Sequence, residues 1–314
     1  MRKLLIFGAV VLAVLVVVAW FEPTRVVVGT LSGEKFATGR PTRFWKHALI
    51  SDDPATREKS YQTLLNGAGD SVGVLVELLR ESPSTSSAAE VRWTAAELLG
   101  KIGPPAKAAS SALLQALGDR DPHVRSVAAA AIPEVDTPAD TAIPALQKML
   151  TTETGRTAAR ALSKYRGEAS PAIPALLEML NNKSLDSETR WNAARTLGKI
   201  GPPAKVAIPD LVAHLHDDAE TIREHAAEAL GDIGPDSKDA VPALIDVLAD
   251  KATKVRRDAA RSLGQIGPQA QAAVPALKKL LADPEKMVQD AAKTAIKLIA
   301  PDEAAAPDSP AKAP

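Results

Sequence analysis

The chain contains no cysteine, which excludes disulfides, thiolate metal sites and cysteine nucleophiles. Aromatic residues are almost as scarce: there are ten in 314, and six of them (Phe7, Trp20, Phe21, Phe36, Phe44 and Trp45) precede residue 46. This argues against a β-sandwich or barrel, because little but Ala, Leu, Ile and Val remains to fill one. Net charge is also missing. The 38 basic and 38 acidic side chains cancel, which argues against a chain that tracks a polyanion along its whole length. What is present is an apolar fraction of 46%, enough for one large domain or two smaller ones.

Only one long hydrophobic run occurs. Arg2 and Lys3 precede an apolar stretch from Leu4 to Phe21, which as a helix spans roughly 27 Å, close to the hydrocarbon thickness of a bilayer. Residues 1–21 therefore read as a transmembrane or signal-anchor helix, with Trp20 and Phe21 as interfacial anchors and the short basic tail on the cytoplasmic side. The alternative is a signal peptide cleaved near Ala19, after the small-residue stretch Val17-Val18-Ala19, which would release a soluble exported protein. Residues 22–46 read as a juxtamembrane spacer whose Phe44 and Trp45 dock on the first folded helices.

From residue 47 a 33-residue period takes over. Arg190, Arg223, Arg256 and Gln289 are spaced by 33, as are Ile200, Ile233, Ile266 and Ile299, and Pro209, Pro242 and Pro275. A fixed period of this size means an array of supersecondary units. Within one unit, Ile222, Ala226, Ala229, Leu230 and Ile233 recur at helical spacing, and Gly234-Pro235 ends that helix as a left-handed cap. Val241, Leu244, Ile245 and Leu248 form a second apolar face, with Pro242 tolerated in the first turn. Paired alanines such as Ala226-Ala227 and Ala259-Ala260 let helices approach closely. No single pair can bury both of its faces, so successive pairs must stack.

The pattern Val91-Arg92-x-x-Ala95-Ala96-x-x-Leu99-Gly100-x-Ile102-Gly103-Pro104, with Ile-Pro-Ala-Leu later at 143–146 and 173–176, resembles the short HEAT-like repeats of the bilin-lyase type. The resemblance covers residues 47–300. It implies an all-α fold, an α-solenoid of about seven helix pairs. Residues 301–314, rich in Ala, Pro and Asp, read from composition as a disordered tail. Units near 123–150 and 154–182 depart from the pattern, with Pro133 in place of a glycine and Tyr165-Arg166-Gly167 in place of Ile-Gly-Pro.

Few residues invite a chemical reading. Gly69-Asp70-Ser71-Val72-Gly73 has the spacing of a hydrolase nucleophile elbow, but it falls between two helices, where Asp70 or Ser71 would cap the second. His214, His216, Asp217, Asp218, Glu224 and His225 are dense in metal-ligand types, yet His214 and His216 point to different helix faces. Asp119, Asp217 and Asp250 each precede Arg125, Arg223 or Arg256 by six residues, which reads as a structural ladder in which aspartates cap helices and arginines bond across adjacent units. Trp93 and Trp191 stand directly after ladder arginines and read as packing residues.

In HEAT-like solenoids the second helices line the concave face. Four residues after each helix-starting proline stand Lys148, Glu178, Ala213, Asp246 and Lys279, and one residue earlier stand Gln147, Leu177, Val212, Ile245 and Lys278. Their mixed sign and lack of aromatics speak against nucleic acid and for a polypeptide. The expected function is a non-catalytic, membrane-tethered scaffold that presents this concave surface to a protein or peptide, without metal or cofactor. Gln147, Lys148, Glu178, Ala213, Asp246, Lys278 and Lys279 are its candidate contacts. The competing expectation, from the resemblance, is a lyase acting on a bilin-like chromophore.

Overall fold

The computed structural model describes residues 29–30, 32–81 and 86–302. The chain forms two compact units, divided between Pro138 and Ala139. The expected membrane helix at 4–21 and the tail beyond 302 lie outside the described residues. Among the described residues, no helix is long and apolar enough to cross a membrane.

Unit one opens with a small antiparallel pair, β1 (Phe36–Ala37) and β2 (Arg40–Pro41), in which Phe36 faces Pro41 and Ala37 faces Arg40. Six helices come next: α1 (Thr42–Leu49), α2 (Pro54–Asn66), α3 (Val72–Leu79), α4 (Ser86–Ile102), α5 (Ser110–Ala116) and α6 (Pro122–Glu134). The boundary expected at 46/47 falls inside α1, so the end of the presumed spacer belongs to the folded unit. Burial of one aromatic explains this. Trp45 is 3% exposed, and its indole N–H donates to the carbonyls of Ala37 and Arg40, each at 3.2 Å, which ties the hairpin to α1. Phe44 meets Trp45 edge to face at 5.2 Å, and Arg40 lies over the Phe44 ring. The hairpin is also the one departure from an all-α fold among the described residues.

Unit two comprises α7 (Ala139–Met149), α8 (Gly155–Lys164), α9 (Ile173–Asn181), α10 (Ser187–Ile200), α11 (Ile208–His214), α12 (Glu220–Ile233), α13 (Val241–Asp246), α14 (Thr253–Ile266), α15 (Val274–Lys279) and α16 (Lys286–Ile299). First helices (α8, α10, α12, α14) each pack on the next first helix. Second helices (α7, α9, α11, α13, α15) each pack on the first helix next in the chain. Leu162, Leu197, Leu230 and Leu263 on first helices, and Leu146, Leu176, Leu211, Leu244 and Leu277 on second helices, are fully buried. Each such leucine contributes about 1.5–3 kcal/mol, so the 33-residue leucine rhythm is itself the core. The single last helix, α16, closes the array, yet leaves Met287 and Leu298 about half exposed.

Close helix approaches occur at a residue type to which the repeat pattern alone assigns no role. A Cβ placed on Gly198 would lie 2.8 Å from the Cα of Ala229, and one on Gly264 would lie 2.9 Å from the Cα of Ala295. Gly100, Gly198 and Gly264 of the Leu-Gly-x-Ile segments are therefore where neighbouring first helices approach backbone to backbone, whereas Gly231 meets the side chains of Ser262 and Gln265. The Gly-Pro stop also differs from a left-handed helical cap. Gly201, Gly234 and Gly267 have φ of 77°, 85° and 79° with ψ near −145°. The proline after each glycine forbids a helical ψ, and the mirror-extended region that remains is open essentially to glycine alone. In the two irregular repeats, Asp136 (φ 59°) and Arg166 (φ 51°) take the positive φ instead.

Candidate protein-binding face and the arginine–aspartate ladder

The ladder is a repeated two-way arginine contact. In unit one, the Arg92 guanidinium donates to both oxygens of Asp119 at 2.7 and 2.8 Å. In unit two, Arg190 donates to Asp217, Arg223 to both oxygens of Asp250, and Arg256 to both oxygens of Asp283, all at 2.7–3.0 Å. Each bond reaches 27 residues forward, into the next repeat. Arg223 and Arg256 also reach backward within their own repeat, as Arg125 does: Nη1 of Arg125, Arg223 and Arg256 donates to the main-chain carbonyls of Asp119, Asp217 and Asp250. The aspartate six residues before an arginine thus offers that arginine its carbonyl, and offers the preceding repeat's arginine its carboxylate. Repeat stacking is a direct consequence of this geometry.

The ladder aspartates also hold the turns before α6, α12, α14 and α16, though not as the capping residue itself. Asp119, Asp217, Asp250 and Asp283 accept the amide two residues on, at 2.7–3.0 Å, one turn residue ahead of the helix start. Burial tends to raise the carboxyls of Asp119, Asp217 and Asp250, but the arginine bonds, the accepted amide and nearby guanidinium charges outweigh it and hold all three below the usual carboxylate range. For Asp283 the bond from Arg256 is the largest influence, and its carboxyl is lowered as well. Within unit two the ladder begins at Arg190, because α8 has Gly155 at the arginine position, seven residues before its buried leucine.

The candidate binding residues all lie in unit two. Lys148, Glu178, Ala213, Asp246 and Lys279 are exposed at equivalent positions of α7, α9, α11, α13 and α15. One residue earlier, Gln147, Leu177, Val212 and Ile245 are half-buried, while Lys278 is exposed. The second helices therefore present an inner, mainly apolar row and an outer row that carries charges of both signs. Beside Val212 a cavity of about 410 Å³ is lined by Ile208, Pro209, Lys205, Asp236 and Asp239.

Of the other sequence candidates, His214 and Asp217 meet, Nδ1 lying 3.4 Å from Oδ2, and the rest are spread over separate elements. His214 is buried on α11, with Nε2 2.8 Å from Oδ1 of Asn181, and burial, then the Arg190 charge, pushes its imidazole below the usual histidine value. His216 is exposed. His225 belongs to α12, where it stacks on Trp191 at 4.4 Å and shares a 3.0 Å contact with Glu228. That contact, then the charge of Lys199, lowers the Glu228 carboxyl to about 2 in spite of burial. Among the described residues no three His, Asp or Glu side chains group as a metal site. Trp93 and Trp191 are half-buried and contact His123 and His225, so they bridge neighbouring first helices. Ser71 is fully buried in the turn between α2 and α3, and neither it nor Asp70 caps α3 through its side chain.

The family profile for HEAT repeats matches residues 74–163, 110–186, 152–231 and 208–297, and the chain belongs to that family. Among solved structures, the karyopherin Kap121p bound to Nup53p aligns with a TM-score of 0.60 at 14% identity, over 83% of this chain and 33% of that one. This chain thus spans about a third of the karyopherin's length. YibA of E. coli aligns with a TM-score of 0.57 at 20% identity, over 80% of this chain and 90% of that one. A chain of the CpcE–CpcF complex of phycocyanin lyase from Nostoc is 26% identical over 50% of this chain and 98% of its own, at a TM-score of 0.41, too loose an overlap to bear on function. No curated protein matches by sequence.

Proposed function

We propose that the chain is a non-catalytic, membrane-tethered HEAT-repeat scaffold that recognises another protein or peptide through the second-helix face of unit two. The observation that carries this reading is the pairing of two rows on that face: half-buried Leu177, Val212 and Ile245 beside exposed Lys148, Glu178, Asp246 and Lys279. Apolar anchors flanked by a polar rim of both signs suit a polypeptide, which offers side chains to the first row and charges to the second. Kap121p, which is similar in fold, is described bound to Nup53p, and that precedent supports the same use here.

The non-catalytic part of the reading rests on what the polar residues already do. The buried arginines and aspartates are engaged in bonds between repeats, and the Ser71 hydroxyl is sealed from solvent. The tether rests on the apolar stretch 4–21, with the amino terminus cytoplasmic and the repeats on the other side; cleavage near Ala19 would instead release them.

Proximity labelling with the full-length protein in its own cells tests the reading, with Val212→Glu/Ile245→Glu as the comparison and the mature amino terminus sequenced from the same sample. We expect a reproducible set of extracytoplasmic proteins, lost in the variant at unchanged thermal stability, and an amino terminus preceding Leu4. An unchanged set in a folded variant would discard this face. A chain beginning at Trp20 would replace the tether with a soluble exported protein.

A further inference from the structure

The cavity beside Val212 differs in its chemistry from the equivalent grooves of unit two. Three second helices pack on the short turn between the two helices of the next repeat: α9 on Pro202–Ala207, α11 on Gly234–Ala240 and α13 on Gly267–Ala273. On the helix side the grooves are alike, each with a branched apolar residue, a proline and a further apolar residue, such as Ile208, Pro209 and Val212 on α11. On the turn side they differ. Two exposed positions, repeating every 33 residues, hold Pro203 and Val206, then Asp236 and Asp239, then Gln269 and Ala272. Along the face, an apolar turn is thus followed by an acidic one and a neutral one.

The acidic turn borders the cavity of about 410 Å³. Neither the Asp236 nor the Asp239 carboxylate has an ion pair or a hydrogen-bond donor among the described residues. Lys205 also lines the cavity but pairs with neither, so one negative charge stays uncompensated beside the apolar wall of α11. A Lys or Arg side chain combines a cation with an apolar stem, which matches that wall and those carboxylates together. An acidic side chain would meet two like charges there, and an apolar one would take water from them without supplying a donor. In the preceding groove Val206 is 63% exposed, more than any other large apolar residue among the described residues, and Leu177 is half-buried.

We propose that a polypeptide bound on this face places a Lys or Arg side chain in the cavity, its stem against Ile208, Pro209 and Val212 and its cation at Asp236 and Asp239, with an apolar residue against Val206 and Leu177. Packed helices lie about 8–10 Å apart, the length of three residues of an extended chain at about 3.3 Å each, so the apolar and basic residues stand three positions apart. The assignment rests on the second-helix reading above and adds the residue classes that the face selects.

The test selects a random peptide library, displayed on phage, on the full-length protein in phosphatidylcholine nanodiscs, with empty nanodiscs for subtraction. We expect enriched sequences to carry Lys or Arg three positions from Leu, Ile, Val or Phe. A synthetic enriched peptide whose basic residue is replaced by Gln should bind at least tenfold more weakly by calorimetry. Against Asp236→Asn/Asp239→Asn the same replacement should cost less than twofold. Lys205→Gln should tighten binding, and Val206→Ser should remove the apolar preference alone. All four positions are exposed, so each variant should keep the wild-type thermal midpoint. No enrichment over empty nanodiscs, enriched sequences without a basic residue at that spacing, or an equal loss on Gln replacement in the wild type and the Asn variant would each overturn the assignment. If Val212→Glu/Ile245→Glu still abolishes binding in the second or third case, the face stands and only the residue classes fall; enriched peptides that bind this variant unchanged would discard the face itself.

Discussion

Removal of the Arg223 guanidinium tests how one repeat holds the next. Two forward bonds to Asp250, at 2.8 and 3.0 Å, and two backward bonds to the carbonyls of Asp217 and Asp218, at 2.9 and 3.2 Å, leave with it. The paired side chains are only 7% and 11% exposed, so water cannot freely replace those bonds. Hydrogen bonds to charged groups contribute about 1.5–3 kcal/mol, and stripping one member from a buried pair costs about 3–5 kcal/mol. Arg223→Ala should therefore lower the unfolding free energy by about 3–4 kcal/mol. Asp250→Ala should cost about 2–4 kcal/mol, since the Ala252 amide also loses its acceptor at 2.7 Å. In the double variant the two losses should fall short of additivity by about 2 kcal/mol. The Lys107–Asp136 pair, 57% and 67% exposed, provides the comparison and should couple by less than about 0.5 kcal/mol. Urea denaturation at pH 7 read by circular dichroism, with amide exchange across α12 and α14 as a local probe, measures both cycles. A coupling between Arg223 and Asp250 no larger than that of the exposed pair would refute the claim that the ladder sets the stacking.

Three further outcomes are expected. Gly264→Ala should destabilise by about 1–2 kcal/mol, because crowding against Ala295 outweighs the roughly 1 kcal/mol helix-propensity gain of alanine; a raised denaturation midpoint would contradict the close approach. The ladder carboxyls and Glu228 are lowered in the folded state, so below the unfolded carboxylate values of about 4 the unfolded chain binds more protons. Their stabilisation is fully present above about pH 5 and is lost as pH falls through the folded values, and Glu228→Gln should flatten the slope of denaturation midpoint against pH between about 4 and 2. His214 is also lowered, so its neutral form is the folded one, and stability should begin to fall as pH drops below about 6.5. A His214→Gln protein should lack that step in the same titration, and persistence of the step would assign it to another group.

Particular residues decide how far the sequence could be read. The 33-residue spacing of Ile200, Ile233, Ile266 and Ile299 was enough to define helices, turns and stacking, because burial every third or fourth residue leaves no alternative for an alanine- and leucine-rich chain. The six-residue offset between aspartate and arginine was equally visible, and its cross-repeat character was expected. The pairing itself was not visible, since the partner of Arg223 is Asp250, 27 residues forward, and only the superposition of two repeats brings them together. The role of Gly198 and Gly264 was hidden for the same reason: a missing Cβ matters only against a specific neighbour's backbone.

Local chemistry that depends on neighbours in sequence was therefore legible in the chain alone: helical periodicity, the Gly-Pro stops, the register of the second-helix rows and the family. Chemistry that depends on neighbours in space was decided by the tertiary structure. Trp45 joins a hairpin to α1, and His214 and His225 part to different helices. The division has a single physical cause. Backbone preferences and hydrophobic period act over a few residues, whereas ion pairing, burial and close packing act between atoms that the sequence separates by about one repeat.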